Sequence, residues 1–202
     1  LFLNLFISLF LVVSLKTPFV VNLGGWKPPF CISLFASSLS IFLSLLVSLI
    51  GLCVVIYSFV YIKDKNQNKF YALLMLLFTG MYGIVLTADI FNMFVFFEIL
   101  CMSSYVLVAY NREKESFEAA FKYLVQGSVA SVFILIAIGI IYGLFGTLNL
   151  ADIAQKITYP LSFPLKIALG FFIAGFGVEA AIFPLNAWLP DAHSSAPSPI
   201  SA

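Results

Sequence analysis

The sequence predicts an all-α, polytopic transmembrane helical protein of about six spans. Three observations carry that prediction. Of the 202 residues, 62% are hydrophobic and 9% are charged, against about 25% charged in a typical soluble domain. The mean hydropathy is +1.10. The apolar residues fall in continuous runs near the ~20 residues that a helix needs to cross a ~30 Å hydrocarbon core. They do not alternate with period 2 as in an outer-membrane barrel. A soluble globular domain is excluded, because too few polar residues remain to cover its surface. Disorder is excluded too, since it needs low hydrophobicity and high charge. A net charge of +1 offers no electrostatic footprint for nucleic acid.

The spans follow in order. The first covers about 1–21, interrupted near its end by Lys16 and Pro18. Asn22-Leu23-Gly24-Gly25-Trp26-Lys27-Pro28-Pro29 reads as an interfacial loop because it is rich in turn formers. The second span is about 34–62, the third 70–87 and the fourth 90–110, with Asp89 placed to cap the fourth and mark a tight turn. The fifth runs from about 121 to 146 and the sixth from about 161 to 189. Both chain ends lie in apolar sequence, so 1–202 is expected to be a single membrane domain and a fragment of a longer subunit. The loops at 62–69 and 111–122 carry Lys63, Lys65, Lys69, Arg112, Lys114 and Lys122. The opposite side carries Lys16, Lys27, Lys156 and Lys166. The larger share of Lys and Arg places 62–69 and 111–122 in the cytoplasm. Gly139-x-x-x-Gly143 on the fifth span, and Gly170, Ala174, Gly177 and Ala181 on the sixth, are candidate sites of close helix packing or simply ordinary small residues.

Two acids stand where charge is costly. Glu98 lies near the middle of the fourth span, and Glu179 lies inside the sixth. A charge at a helix centre costs about 2.5–3.5 kcal/mol on insertion scales, which makes an intramembrane carboxylate a candidate proton or ion site. The alternative is a protonated or paired structural Glu. Burial favours the protonated form of a carboxyl group, and exchange near neutral pH is what a relay requires. Lys166 is 13 residues from Glu179 in the same span, about 20 Å along a helix. A partner must therefore come from another helix, such as Lys122 at the head of the fifth span.

Pro184 and Pro190 each remove a backbone hydrogen bond from the sixth span. An interrupted membrane helix exposes half-helix ends, which line ion sites in transporters. Asn186, Asp191 and His193 lie in this region. His193 is the single histidine, either a proton relay or an interfacial residue. Cys31, Cys53 and Cys101 form no C-x-x-C pair and read as packing residues. Without a Cys cluster or a Gly-rich nucleotide loop, the chain is expected to hold no cofactor and no metal.

Phe183-Pro184-Leu185-Asn186-Ala187-Trp188-Leu189-Pro190-Asp191-Ala192-His193, followed by Ala196-Pro197-Ser198-Pro199-Ile200-Ser201-Ala202, resembles the signature of the antiporter-like proton-conducting membrane subunits. These occur in respiratory complex I, in Mrp-type cation/proton antiporters and in energy-converting membrane hydrogenases. Asp89-Ile90-Phe91-Asn92-Met93-Phe94-Val95-Phe96-Phe97-Glu98-Ile99 is similar to the family's other signature. Phe121-Lys122-Tyr123-Leu124, Leu144-Phe145-Gly146-Thr147-Leu148-Asn149-Leu150 and the Gly24-Gly25-Trp26, Pro28-Pro29 loop also fit.

The resemblance implies about fourteen helices in inverted repeats, each containing a broken helix. This chain would supply the early helices and most of the first repeat. Glu98 falls on the family's membrane glutamate, which pairs with a lysine on the broken helix. Here that lysine position aligns with Glu179, and Asn186 stands where many relatives carry a histidine. Two nearby carboxylates would share a proton, form a sodium or other cation site, or mark an inactive pathway.

The resemblance therefore implies a proton-translocating subunit of a redox-driven complex, either an energy-converting hydrogenase or a complex I relative. Its proton pathway would comprise Glu98, Glu179, Lys122, His193 and Asp191, and its partners would be the membrane subunits that carry the redox chemistry. The alternative is a subunit of an Mrp-type antiporter exchanging sodium or another cation for protons. A purely structural role is the third reading. All of them place the chain in a prokaryotic-type cell membrane.

Overall fold

Ser37 starts the first long helix by accepting a hydrogen bond from the Ser40 backbone, while the Ser40 hydroxyl accepts from the Ser37 N–H. This reciprocal capping box satisfies two of the N–H groups that a helix start leaves without partners. The computed structural model describes residues 1–14, 17–26, 31–63 and 67–201. Lys16, Lys27, Pro28, Pro29, Lys65 and Ala202, which entered the sequence reading, lie outside the described residues. The helices are α1 (Phe2–Ser14), α2 (Ser38–Tyr61), α3 (Gln67–Leu86), α4 (Ile90–Val108), α5 (Lys114–Phe145), α6 (Leu150–Lys156), α7 (Phe163–Glu179), α8 (Leu189–Ser195) and α9 (Ser198–Ser201). Strands β1 (Phe19–Asn22) and β2 (Ser33–Ala36) form an antiparallel hairpin, with Phe19 opposite Ala36 and Asn22 opposite Ser33.

Among the described residues, four helices are long and apolar enough to cross a membrane: α2, α3, α4 with its short C-terminal turn, and α5. Among the described residues of the first expected span, Phe2–Ser14 is helix and Phe19–Asn22 is strand. A short β-branched run such as Val20-Val21 reads equally as strand or helix from hydrophobicity alone. Helix α5 has 32 residues, about 48 Å at 1.5 Å per residue, and outruns a ~30 Å hydrocarbon core. Its first turns can therefore hold Glu115, Glu118 and Lys122 in the polar interface.

The sixth apolar segment ends its helix earlier than the prolines suggest. Ala181 adopts φ 52. Its N–H reaches the Val178 carbonyl at 3.1 Å, and the Ile182 N–H reaches the Gly177 carbonyl at 2.9 Å. This pair of bonds is a Schellman turn, which closes a helix by putting one residue in the left-handed region. Helix α7 thus stops at Glu179, before Pro184 can remove any of its bonds. Pro190 falls in the first turn of α8, where a helix does not use that N–H. Both expectations for Pro184 and Pro190 as helix breakers are corrected accordingly. The break itself is the irregular 180–188 segment, which contains Pro184 and Asn186.

At one end of the bundle, extended segments lie side by side. The Ala88 N–H donates to the Ser33 carbonyl, and the Ile90 N–H to the Leu148 carbonyl, both at 2.9 Å. Asp89 bridges to Asn149. At the opposite end Phe70 packs edge-to-face on Tyr110, at 5.1 Å. The start of α3 and the 109–113 connection therefore share one face of the membrane.

Helix α3 packs most extensively on α4, and α5 on α7. A Cβ at Gly175 would come within 2.6 Å of Ile134 and 2.8 Å of the Ala130 carbonyl. That glycine permits the close approach of α5 and α7. Of the glycines singled out from the sequence, a Cβ at Gly139, Gly143 or Gly170 would meet nothing within 4 Å, whereas one at Gly177 would lie 3.3 Å from the Leu185 side chain.

Candidate functional site

The site lies where α4, α5 and α7 converge. The Phe97 ring of α4 meets the Phe176 ring of α7 edge-on, with centroids 5.7 Å apart. Glu98 and Glu179 follow these residues by one and three positions. The Glu98 carboxylate is half-buried and accepts a hydrogen bond from the Ser131 hydroxyl of α5. Glu179, the last residue of α7, is also half-buried, and its Oε1 accepts from the Tyr105 hydroxyl of α4 at 3.2 Å. Cys101 is fully buried in the same cluster as Tyr105, Tyr123 and Val178.

Register explains the convergence. Residues at i, i+4 and i+7 or i+8 share a helix face. Tyr123, Gly127 and Ser131 form such a row on α5, and Glu98, Cys101 and Tyr105 form one on α4. Gly127 is fitted to its place: a Cβ there would overlap the Tyr105 hydroxyl and lie 2.6 Å from Glu179 Oε1. Farther along, Tyr123 sits edge-on to Tyr105 at 4.5 Å and stacks flat on Trp188 at 3.9 Å. The Ser104 hydroxyl donates to Tyr123 Oη at 3.3 Å. The Trp188 indole N–H donates to the Val178 carbonyl at 2.8 Å.

The remaining sequence candidates fall elsewhere. Lys122 is exposed and bridges Glu118 at 2.9 Å and Asp191 at 2.8 Å. It is not the partner of Glu179, a correction to the expectation that a basic residue from α5 would neutralise that acid. The physical reason is reach, since Lys122 lies on the exposed side of α5 next to Tyr123 and toward the polar end. These two contacts are the ion pairs among the described residues. His193 is exposed, at the rim of a cavity of about 130 Å³ that Ser104, Tyr123 and Trp188 also line. Pro184 is exposed and Asn186 is half-buried within the break.

Sequence reasoning missed Ser131, Tyr105, Tyr123, Trp188 and Gly127 as parts of the site. The available signal was the shared register on α4 and α5, because hydroxyl residues alone are common in membrane helices.

The fold and site define a class: a polytopic helical membrane protein with two carboxylates and a broken helix at its centre. Residues 87–202 match the family described as NADH:quinone oxidoreductase/Mrp antiporter, TM. Residues 27–71 match the NADH-Ubiquinone oxidoreductase (complex I), chain 5 N-terminus. The chain belongs to this antiporter-like subunit family and is an integral, multi-pass membrane protein.

It is 38% identical over 189 residues to NADH-quinone oxidoreductase subunit N of Desulforudis audaxviator, covering 92% of this chain and 38% of the relative. It is 38% identical over 184 residues to a Na(+)/H(+) antiporter subunit of Bacillus subtilis, covering 90% and 37%. The chain thus spans well under half the length of these relatives. Among solved structures it superposes with TM-score 0.93 and 37% identity on a chain of the membrane-bound sulfane sulfur reductase, an archaeal respiratory membrane complex, covering 99% of this chain and 42% of that one. A chain of the Mrp complex from Dietzia sp. shares the fold, with TM-score 0.84, 24% identity and coverage of 98% and 38%.

Proposed function

We propose that this chain is part of a proton-translocating subunit of a redox-driven membrane complex, related to energy-converting hydrogenases and complex I. Protons move through the α4–α5–α7 site. The observation that carries this reading is the pair of intramembrane carboxylates, each held by a hydroxyl from a neighbouring helix: Glu98 by Ser131 and Glu179 by Tyr105. A hydroxyl can donate one proton and accept another, so each pair can pass a proton with no net change in its own composition. Asp191 and Lys122 mark the polar end of the pathway, and His193 stands at the rim of the cavity leading toward Tyr123. Electron transfer belongs to partner subunits.

The 37% identity to a chain of an archaeal respiratory complex supports the redox-driven reading. A second reading, an Mrp-type cation/proton antiporter with sodium as the counter-ion, is favoured by the 38% identity to the Bacillus antiporter protein. The test uses the full-length subunit in its native complex, reconstituted in vesicles. Glu98→Gln is expected to abolish proton pumping driven by an electron donor. Intact pumping in that variant removes Glu98 from the pathway. A sodium-dependent pH change with no electron donor supports the antiporter instead.

A further inference from the structure

Glu179 sits at the end of its helix inside a closed circuit of contacts. Its Oε1 takes a hydrogen bond from Tyr105, whose ring meets Tyr123 edge-on. Tyr123 stacks on Trp188, and the Trp188 indole N–H returns to the carbonyl of Val178, the residue before Glu179. That carbonyl also accepts from the Ala181 N–H in the Schellman turn, so the indole N–H adds a second bond at the point where α7 closes. Trp188 itself belongs to the break. The circuit therefore ties the carboxyl of Glu179 to the segment that interrupts the helix.

We propose that Tyr105, Tyr123 and Trp188 are positioning residues that hold the Glu179 carboxyl and transmit its change of protonation to the 180–188 break. The proposal rests on the reading of Glu179 as a proton carrier. An ionised carboxylate only accepts hydrogen bonds, whereas a protonated one also donates. The two states of Glu179 therefore ask for different orientations of the Tyr105 hydroxyl. Gly127 leaves Tyr105 no slack on the α5 side, since even a Cβ there would overlap the hydroxyl. On the far side, the cavity of about 130 Å³ beside Tyr123 and Trp188 gives the rings room to shift. That room lies beside Trp188, the last residue of the break, and on the side of α8 and α9, whose Ala192 and Ile200 also line the cavity. The titratable groups facing Glu179 are Glu98, Cys101 and Tyr105 from α4 and Tyr123 from α5. Asp191 of α8 is engaged by Lys122.

The test incorporates 5-fluorotryptophan into the full-length subunit in its complex. The fluorine resonance missing from Trp188→Phe identifies Trp188. That resonance is expected to move with pH in the parent, to stay flat in Glu179→Gln, and to lose at least half of its response in Tyr105→Phe. Tyr105→Phe keeps the ring and serves alone if Glu179→Gln does not assemble. Trp188→Phe, which loses the indole N–H, is expected to slow proton transport about fivefold, the value of one ordinary hydrogen bond. A Trp188 resonance that does not respond to pH, or that responds equally in Glu179→Gln and Tyr105→Phe, overturns the proposal. Intact transport in Glu179→Gln with a Trp188 resonance that still depends on Glu179 overturns the proton-carrier reading and leaves the link standing.

Discussion

The Ser131 hydroxyl is the described side chain that donates to Glu98. Removing one such bond costs about 1–1.5 kcal/mol, with more at stake where the acceptor is charged. Ser131→Ala is therefore expected to slow proton pumping roughly fivefold to tenfold while leaving assembly of the complex intact, as measured by quench of a pH-sensitive dye in vesicles. An unchanged rate would mean that water or another group serves Glu98 equally well. The two acids were legible in the sequence because charge in an apolar run stands out against its cost. Their partners were not, because Ser and Tyr carry little cost in a membrane helix and so carry little signal. Only the row of Tyr123, Gly127 and Ser131, each four residues apart, would have pointed to that face of α5. Lys122 stood out for its charge, yet its place beside Glu118 and Asp191 is an ordinary exposed ion pair.

At the scale of elements, the break in the sixth apolar segment shows how a strong signal can fall in the wrong place. Proline announces a break, and Pro184 lies within it, but the helix has already closed at Glu179 through the Schellman turn at Ala181. An Ala-Ala pair gives no hint of a left-handed residue. That conformation costs a non-glycine residue about 1–2 kcal/mol. Glycine there removes the cost but adds about 0.4–1 kcal/mol of unfolded-chain freedom. The first effect is larger, so Ala181→Gly is expected to raise stability by about 0.5–1 kcal/mol, read as a higher thermal midpoint in detergent. A lower midpoint would show that Ala181 is not the residue that closes α7. Asn149 offers the opposite case. Its side chain accepts from the Ala151 and Asp152 N–H groups at 3.0 and 3.2 Å and starts α6. Asn149→Ala is expected to lower stability by about 1 kcal/mol by the same measurement.

At the scale of the whole molecule, the contacts between connections fix which loops share a side. Ala88 and Ser33, with Ile90 and Leu148, place the 87–89 turn, the β-hairpin and the 147–150 segment together. Phe70 with Tyr110, and Asn111 with the Ser195 carbonyl at 3.3 Å, place the start of α3, the 109–113 connection and α8 at the other end. Geometry alone leaves open which end faces the cytoplasm, and the distribution of Lys and Arg supplies the expectation to be tested. Lys63, Lys69, Arg112, Lys114 and Lys122 all lie at the second end, whereas Lys156 and Lys166 lie at the first. Acidic residues at the second end do not cancel this count, because Asp and Glu contribute little to orientation. A single cysteine at Lys114 should therefore react with a membrane-impermeant maleimide only in inverted vesicles. One at Tyr159, which is 84% exposed on the opposite side, should react only in intact cells. Both labels appearing from the same side would contradict the fold, because α5 crosses the bilayer between them. Both appearing with reversed sidedness would keep the fold and reverse the orientation. The α8 end of the Glu179 site, with His193 and the Asp191–Lys122 pair, would then face outward, and protons would reach the carboxylates from the opposite compartment.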